Sequence, residues 1–286
     1  MLVSVKKLLQ GAQEGGYALG AFNTANLETT RAIFEAASEL RSPVIIQMTE
    51  KTFQYAGSQV MYHLVRNIAD FSFPEVPYGL HLDHGRNIEV VEEALRIGFK
   101  SVMMDASTMS YEENLAATKR IVANAHGRDA EVQAELGNVP YIGEIQDVEN
   151  MDWEDYMTDP EKAEEFVRET GIDTLAIAIG NAHAAFPERP EPDYERLQAI
   201  REKVTLPLVL HGASDWTEEK VSRVIGLGIS CFNVDTATRT AFLDTLREFL
   251  SGSEEKDIRK VLLPAREAFR DAVKKKMEMF GSAGKM

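Results

Sequence analysis

The sequence predicts an α/β fold, a (β/α)8 (TIM) barrel, and three observations carry the prediction. Short apolar runs alternate with amphipathic stretches eight times from end to end. Most of the runs are apolar throughout rather than alternating, as parallel strands covered on both faces are. No linker and no low-complexity stretch interrupts the series, so residues 1–286 read as one domain. Length alone would permit two domains, but single α/β barrels fall in this range. A doubly wound open sheet is the competing arrangement. It requires a glycine-rich fingerprint after the first strand, and Ala21-Phe22-Asn23-Thr24 is not one.

An extra helix is expected ahead of the barrel, over residues 3–13. The first strand, 18–23, ends on Asn23, and the stretch 27–40 that follows spaces Ile33, Ala36, Ala37 and Leu40 as one helical face does. The second strand, 44–49, ends on Thr49. The third, 78–84, closes with His81-Leu82-Asp83-His84-Gly85, a strand end and tight turn before a helix that begins near Asn87. The fourth, 101–105, ends on Asp105, and helix 111–125 follows Ser110 as its N-cap. The fifth, 131–137, carries Glu135. Residues 138–159 form the longest gap, polar and acidic after Val139-Pro140-Tyr141-Ile142, and a loop of that length is often an active-site lid. Helix 160–170 opens with Asp159-Pro160 and leaves at Gly171. Strand 174–180 leads to His183, strand 206–212 contains His211, helix 217–227 follows, and strand 229–235 ends on Asn233-Val234-Asp235. A helical extension, 256–280, completes the pattern.

The balance of 46 acidic against 31 basic residues, a formal charge of -15, argues against a nucleic-acid or anionic-membrane binder, which neutralises phosphates with Lys and Arg. A small phosphorylated substrate needs only a local group of donors. The single cysteine, Cys231, excludes an intrachain disulfide and suits a reducing compartment. The start, Met1-Leu2-Val3-Ser4, resembles no signal peptide, and no run of about 18 apolar residues suggests a membrane span. A cytoplasmic enzyme is expected.

In a barrel of this kind the site lies at the C-terminal ends of the strands. Asn23, Gln47, Thr49, Asp83, His84, Asp105, Glu135, Asn181, His183, His211, Ser214, Asn233 and Asp235 gather there. A charged group at a strand tip needs a partner or a function. Three histidines on three strand tips suit a zinc-type site with one open position. Their separations, about 100 and 28 residues, match no short zinc motif, so buried structural histidines fit the same residues at this stage. His81 reads as barrel filler or a supporting group, and His63 and His126 as helix residues away from the site. Asp83 and His84 are adjacent, so on an ideal strand they would face opposite ways, and the turn at Gly85 must bring them together if both act. Small and hydroxylated residues cluster at the last two tips, where barrels often bind phosphate through backbone N–H groups.

The ordered set of motifs resembles the class II, metal-dependent fructose- and tagatose-bisphosphate aldolases. It runs through Gly20-Ala21-Phe22-Asn23, His81-Leu82-Asp83-His84-Gly85, Ser101-Val102-Met103-Met104-Asp105, Ala134-Glu135-Leu136-Gly137, Gly180-Asn181-Ala182-His183, Leu208-Val209-Leu210-His211-Gly212, Asn233-Val234-Asp235-Thr236 and Phe280-Gly281-Ser282-Ala283-Gly284-Lys285. The resemblance implies an aldolase that reversibly cleaves a ketose 1,6-bisphosphate to dihydroxyacetone phosphate and glyceraldehyde 3-phosphate. It implies His84, His183 and His211 as zinc ligands, with a second or displaced metal position near Asp105 and Glu135 and room for a monovalent cation. Asp83 and Glu144 are the implied acid/base pair, acting on the C4 hydroxyl and on C3. Ser214, Asn233, Asp235 and Thr236 match the ketone-half phosphate pocket, and Asn23, Thr49, Gly180, Ala184 and Gly212 complete the substrate positions. Arg266 matches an arginine that reaches a neighbouring subunit's distal phosphate, so a homodimer or homotetramer is expected. No proposed strand carries a lysine at an inward tip, which favours metal-assisted over Schiff-base chemistry.

The chain departs from the family around the phosphate. Ala184 stands where the family usually has glycine, the lysine usual nearby is missing, and Asp215 follows Ser214. Three functions are therefore carried forward: a bisphosphate ketose aldolase, the same chemistry on a different or non-phosphorylated ketose (aldolase or C4 epimerase), and a non-catalytic sugar- or partner-binding barrel.

Overall fold

Parallel strands that close on themselves must hide both faces, and the apolar runs of this chain do so. The computed structural model describes residues 1–141, 151–183 and 190–286. Its strands are β1 (Leu19–Asn23), β2 (Val44–Thr49), β3 (Tyr78–Gly85), β4 (Ser101–Met104), β5 (Glu131–Leu136), β6 (Thr174–Ile177), β7 (Leu208–Leu210) and β8 (Ile229–Val234). They form a closed barrel in sequence order, β8 pairing back to β1, with every neighbouring pair parallel. The predicted (β/α)8 architecture is the observed one. Glu144, Ala184 and residues 142–150 of the expected lid lie outside the described residues.

The helices are α1 (Val5–Gly15), α2 (Leu27–Glu39), α3 (Glu50–Ala56), α4 (Ser58–Ser72), α5 (Ile88–Ile97), α6 (Tyr111–His126), α7 (Pro160–Thr170), α8 (Tyr194–Lys203), α9 (Glu218–Gly226), α10 (Thr236–Gly252) and α11 (Ile258–Met279). Their starts follow local chemistry. Ser110 caps α6 in a reciprocal pair with Glu113, and Asp159 caps α7 ahead of Pro160. Asn87 caps α5, and Thr217 caps α9.

Strands β6 and β7 are shorter than the apolar runs suggest. Pro207 has no N–H to give the ladder, so β7 begins at Leu208. Beyond Ile177 the Asn181 side chain takes over the backbone groups, accepting from the Ile179 N–H at 2.7 Å and donating to the Ile177 carbonyl at 3.1 Å. Asn181 is thereby a structural residue.

The barrel interior is graded. Its floor is apolar: Leu19, Ala21, Ile45, Ala176, Val209 and Cys231 pack with Val5, Leu9 and Ala12 of α1, which plugs that end. Stepping two residues up each strand reaches the next inward layer. Ile45 gives way to Gln47, Ala21 to Asn23, Val209 to His211 and Cys231 to Asn233, so polarity rises toward the C-terminal mouth. A second apolar cluster fills the space between strands and helices, and α11 packs against α10 and α2 outside the barrel.

The end of β3 depends on two unusual backbone positions. His84 has φ of 47°, in the left-handed region, which turns its side chain toward the mouth beside Asp83 instead of to the opposite face. Gly85 sits so close to β4 that an added Cβ would lie 2.5 Å from the Met103 carbonyl oxygen and 2.5 Å from Val91. Its carbonyl accepts the Asp105 N–H at 2.9 Å, which sets the start of the β4 loop. Gly85→Ala is expected to lower stability by about 1–3 kcal/mol through this overpacking, read as a lower urea midpoint at unchanged slope. A midpoint equal to the parent's would mean that the turn yields without cost.

Candidate metal centre and catalytic cavity

The mouth of the barrel opens into a cavity of about 780 Å³. Asn23, Thr49, Asp83, His84, His183, Gly212, Ser214, Asn233, Asp235 and Thr236 line it, together with Arg86, Tyr141 and Asp215. His211, Asp105 and Glu135 stand behind this lining and are buried. Gly180 and Arg266 are not in the lining: Gly180 packs toward Pro190, and Arg266 lies on α11 with its Nε 3.6 Å from Glu35.

Three strands deliver His84, His183 and His211 to one spot, where one ligand atom from each lies within 4.8 Å of the others. A tetrahedral ion with bonds of about 2.0–2.1 Å spaces its ligands by roughly 3.3 Å, so small adjustments would seat one. The polar partners behind each ring decide which nitrogen faces the centre. His84 Nδ1 donates to Asp105 Oδ2 at 2.8 Å, leaving Nε2 to the centre. His211 Nε2 lies 3.1 Å from both Gln133 Oε1 and Asn233 Nδ2, which hold that edge of the ring at the back, and Nδ1 faces the centre, 2.9 Å from His84 Nε2. His183 Nε2 is buried without a hydrogen-bond partner, and so is Glu135 Oε2. Buried lone pairs left unmatched beside imidazoles are what a cation would satisfy, so the donor set fits a divalent metal.

The electrostatics agree. Burial pushes His84 down, but the Asp83, Asp105 and Glu135 carboxylates outweigh it and raise the imidazole to about 9. Burial and the neighbouring His84 push His183 down to about 3, and His211 well below its ordinary value. Burial and the Asp105 charge raise Glu135 to about 7. Burial opposes ionisation of Asp105, but its hydrogen bonds from His84, Ser107 and Arg86 prevail and hold it low. The pocket thus draws one positive charge to the space between its imidazoles.

Asp83 is fixed by two amides. Asn23 Nδ2 donates to Oδ2 at 2.9 Å and Asn233 Nδ2 donates to Oδ1 at 2.9 Å. Gln47 Nε2 holds Asn23 in turn at 2.7 Å. The carboxylate stands 3.9 Å from His84 Nε2, at the edge of the centre. Asp105 faces the back of His84, and Glu135 Oε2 lies 3.7 Å from His211 Nδ1. His81 is barrel filler bonded to Ser101 at 2.8 Å, His63 is exposed, and His126 pairs with Asp173 at 3.0 Å far from the centre.

Three supporting residues escaped the sequence reading. Gln133 could have been found, because it lies two residues before Glu135 and so shares its inward face. Arg86 and Tyr141 carried no signal: one follows the strand end and the other sits in a loop. Their positions against the histidines exist only in the folded chain.

A family model described as fructose-bisphosphate aldolase class-II matches residues 3–285. A fructose-bisphosphate aldolase from Thermus caldophilus is 42% identical across 309 aligned positions, covering 100% of both chains. Among solved structures, the YdjI aldolase from Escherichia coli K12 has a TM-score of 0.86 at 32% identity, covering 100% of this chain and 99% of that one. A fructose-bisphosphate aldolase from Campylobacter jejuni has a TM-score of 0.83 over 100% of this chain and 97% of that one, and at 23% identity it speaks to the fold alone.

Gln133→Leu removes one of the two polar groups that hold the back of the His211 ring while keeping the side-chain bulk. It is expected to weaken divalent-metal binding roughly 10–100-fold, the usual cost of losing such a partner. Chelator-competition titration measures this, and parent-like affinity would show that His211 needs no orienting acceptor.

Proposed function

The chain belongs to the class-II fructose-bisphosphate aldolase family, and on that premise we propose how its strand-tip residues share the reaction. It is an aldolase, a carbon–carbon lyase of (β/α)8 fold. The substrate we assign is a ketose 1,6-bisphosphate, cleaved to dihydroxyacetone phosphate and glyceraldehyde 3-phosphate. The observation that carries the reading is the meeting of three imidazoles with Asp83 at 3.9 Å from His84.

His84, His183 and His211 would hold the metal, which we take as zinc. When bound, it supplies Lewis-acid stabilisation of the negative charge that develops on the ketone half of the substrate. Cleavage breaks C3–C4. Asp83, clamped by Asn23 and Asn233, takes the C4 hydroxyl proton as C4 becomes an aldehyde and the bonding pair remains at C3. Its oxygens keep lone pairs beyond the two amide bonds, so a proton can be received without breaking the clamp. Glu144, from the loop after β5, is our assignment for the acid that returns a proton to C3. Glu135 is kept as a ligand for a displaced metal, and Asp105 as the acceptor that orients His84.

Support for a phosphate comes from α10. Asp235, at its N-cap, makes no capping bond and pairs with Arg239 at 3.0 Å. The first-turn N–H groups beside Thr236 and Ala237 are therefore left for a ligand at the cavity wall, where a dianion is favoured. Ser214 adds a hydroxyl. Asp215 also reaches this wall; burial lowers the pKa of the nearby Lys276 ammonium, whose charged form the Asp215 carboxylate favours, and Lys276 donates to the Ser214 carbonyl at 2.7 Å. Asn23 and Thr49 would hold substrate hydroxyls, with Gly212 letting the backbone approach. Arg266 would serve a neighbouring subunit in a homodimer or homotetramer. None of the described helices is long and apolar enough to cross a membrane, and we place the reaction in the cytoplasm.

A second reading, turnover of a non-phosphorylated ketose, is favoured by Asp215, by Ala184 in place of the usual glycine and by the missing lysine. A cleavage panel of fructose and tagatose bisphosphates, their monophosphates and the free sugars, with and without chelator, separates the two. We expect bisphosphate cleavage that chelator abolishes, and Asp215→Gly to lower the KM for the phosphorylated substrate. Efficient turnover of a free hexulose with no gain from a C1 phosphate would replace the first reading by the second.

Asp83→Ala should keep the metal and the fold but lose roughly 10²–10⁴-fold in kcat, the range for a positioned proton-transfer group. Loss of metal in parallel with activity would reassign Asp83 to holding the centre together.

A further inference from the structure

Each of the three imidazoles needs something to set its ring plane. Asp105 does this for His84 and Gln133 for His211. His183 Nε2, buried without a hydrogen-bond partner among the described residues, is the atom left for the metal. The described contact that sets its ring plane is Tyr141. The two rings are stacked with centroids 4.0 Å apart and planes 11° from parallel. The backbones are tied as well: His183 N–H donates to the Pro140 carbonyl at 2.9 Å, in a parallel bridge between Tyr141 and His183. The Arg86 guanidinium lies over the Tyr141 ring, 5.3 Å from its centroid. Arg86 Nε in turn bonds Asp105 Oδ2 at 3.0 Å, the same oxygen that receives His84 Nδ1.

We propose that Tyr141 and Arg86 are positioning residues of the metal centre, forming a clamp in which the Asp105–Arg86 pair holds Tyr141 and the Tyr141 ring holds His183. The proposal rests on the reading that His84, His183 and His211 bind the metal. One carboxylate oxygen then sets two ligands: His84 directly, and His183 through a guanidinium and an aromatic face. The physical basis is geometric. A parallel stack at 4.0 Å stops the imidazole from swinging about its Cβ–Cγ bond, which would carry Nε2 out of the ligand plane. A cation over a phenol ring anchors that ring in turn, and Arg, planar and always charged, suits this better than Lys. The hydroxyl of Tyr141 has no part in it, so phenylalanine should substitute.

Tyr141 also borders the cavity, so activity alone cannot separate a clamp from a substrate wall. The test is binding of Zn²⁺ and Co²⁺ to the full-length metal-stripped protein. Affinity is read by chelator competition and ligand geometry by the visible d–d bands of the Co²⁺ form, alongside kcat and KM. Tyr141→Phe should match the parent in affinity and spectrum. Tyr141→Ala, and Tyr141→Leu as the variant that keeps more bulk, should bind metal roughly 10-fold more weakly or worse and shift the Co²⁺ bands. Arg86→Ala should move both readouts in the same direction by a smaller factor. Parent-like affinity and bands in Tyr141→Leu, with only KM changed, would overturn the clamp and make Tyr141 a substrate wall. Failure of the parent itself to bind either ion would overturn the metal reading and the clamp with it.

Discussion

The contact on which the site depends is the buried hydrogen bond from His84 Nδ1 to Asp105 Oδ2, 2.8 Å long. It joins the tips of two neighbouring strands, and it exists because His84 adopts a left-handed backbone at φ of 47°. In the ordinary extended conformation His84 would face the helices, and only Asp83 would face the barrel. The turn places both at the mouth. Gly85 permits it by letting β3 pass within a Cβ radius of the Met103 carbonyl. A backbone conformation that side-chain residues rarely adopt thus sits at the residue that starts the metal centre, held there by the carboxylate it faces.

Around this contact the barrel works as a gradient of polarity. The floor is sealed by α1 and the apolar cluster it closes, so the centre receives no water from below. Charged groups in such surroundings must compensate one another. Asp105 does so with His84, Arg86 and Ser107, and Asp83 with two asparagine amides. The stack of Tyr141 on His183 adds a contribution of another kind. Aromatic pairs are worth about 0.5–1.5 kcal/mol beyond their buried area, up to a factor of ten between two ring orientations. That is small beside a charge pair, yet it is enough to favour one orientation of the His183 ring.

The net charge of -15 sets the chain as a whole against anions, and the mouth answers it locally. Lys51, Arg86 and Arg239 line the cavity, and the N-terminus of α10 faces it without a side-chain cap. Overall charge therefore speaks to broad partners such as nucleic acid and leaves the recognition of a small anion to the arrangement of a few groups.

The sequence by itself determined the barrel, because strand and helix periodicity, capping residues and turn glycines are local properties written into short windows. Ser110 before α6, Asp159-Pro160 before α7 and the apolar strand runs are cases of this. It also determined which polar residues stand at strand tips, since a tip is a position along one strand. What those tips do to one another belongs to closure. That His84, His183 and His211 converge within 4.8 Å follows from the barrel bringing β3, β6 and β7 around one axis, which no spacing in the chain encodes. The early end of β6 was likewise hidden, because Asn181 bonds to backbone it meets only after the strand has turned, whereas the late start of β7 follows from Pro207 and is local. Gln133, Arg86 and Tyr141 took their roles from the fold in the same way. A hydrogen bond or a ring stack needs a few tenths of an ångström and a few degrees of accuracy, and only the packed tertiary structure holds atoms distant in sequence to that tolerance.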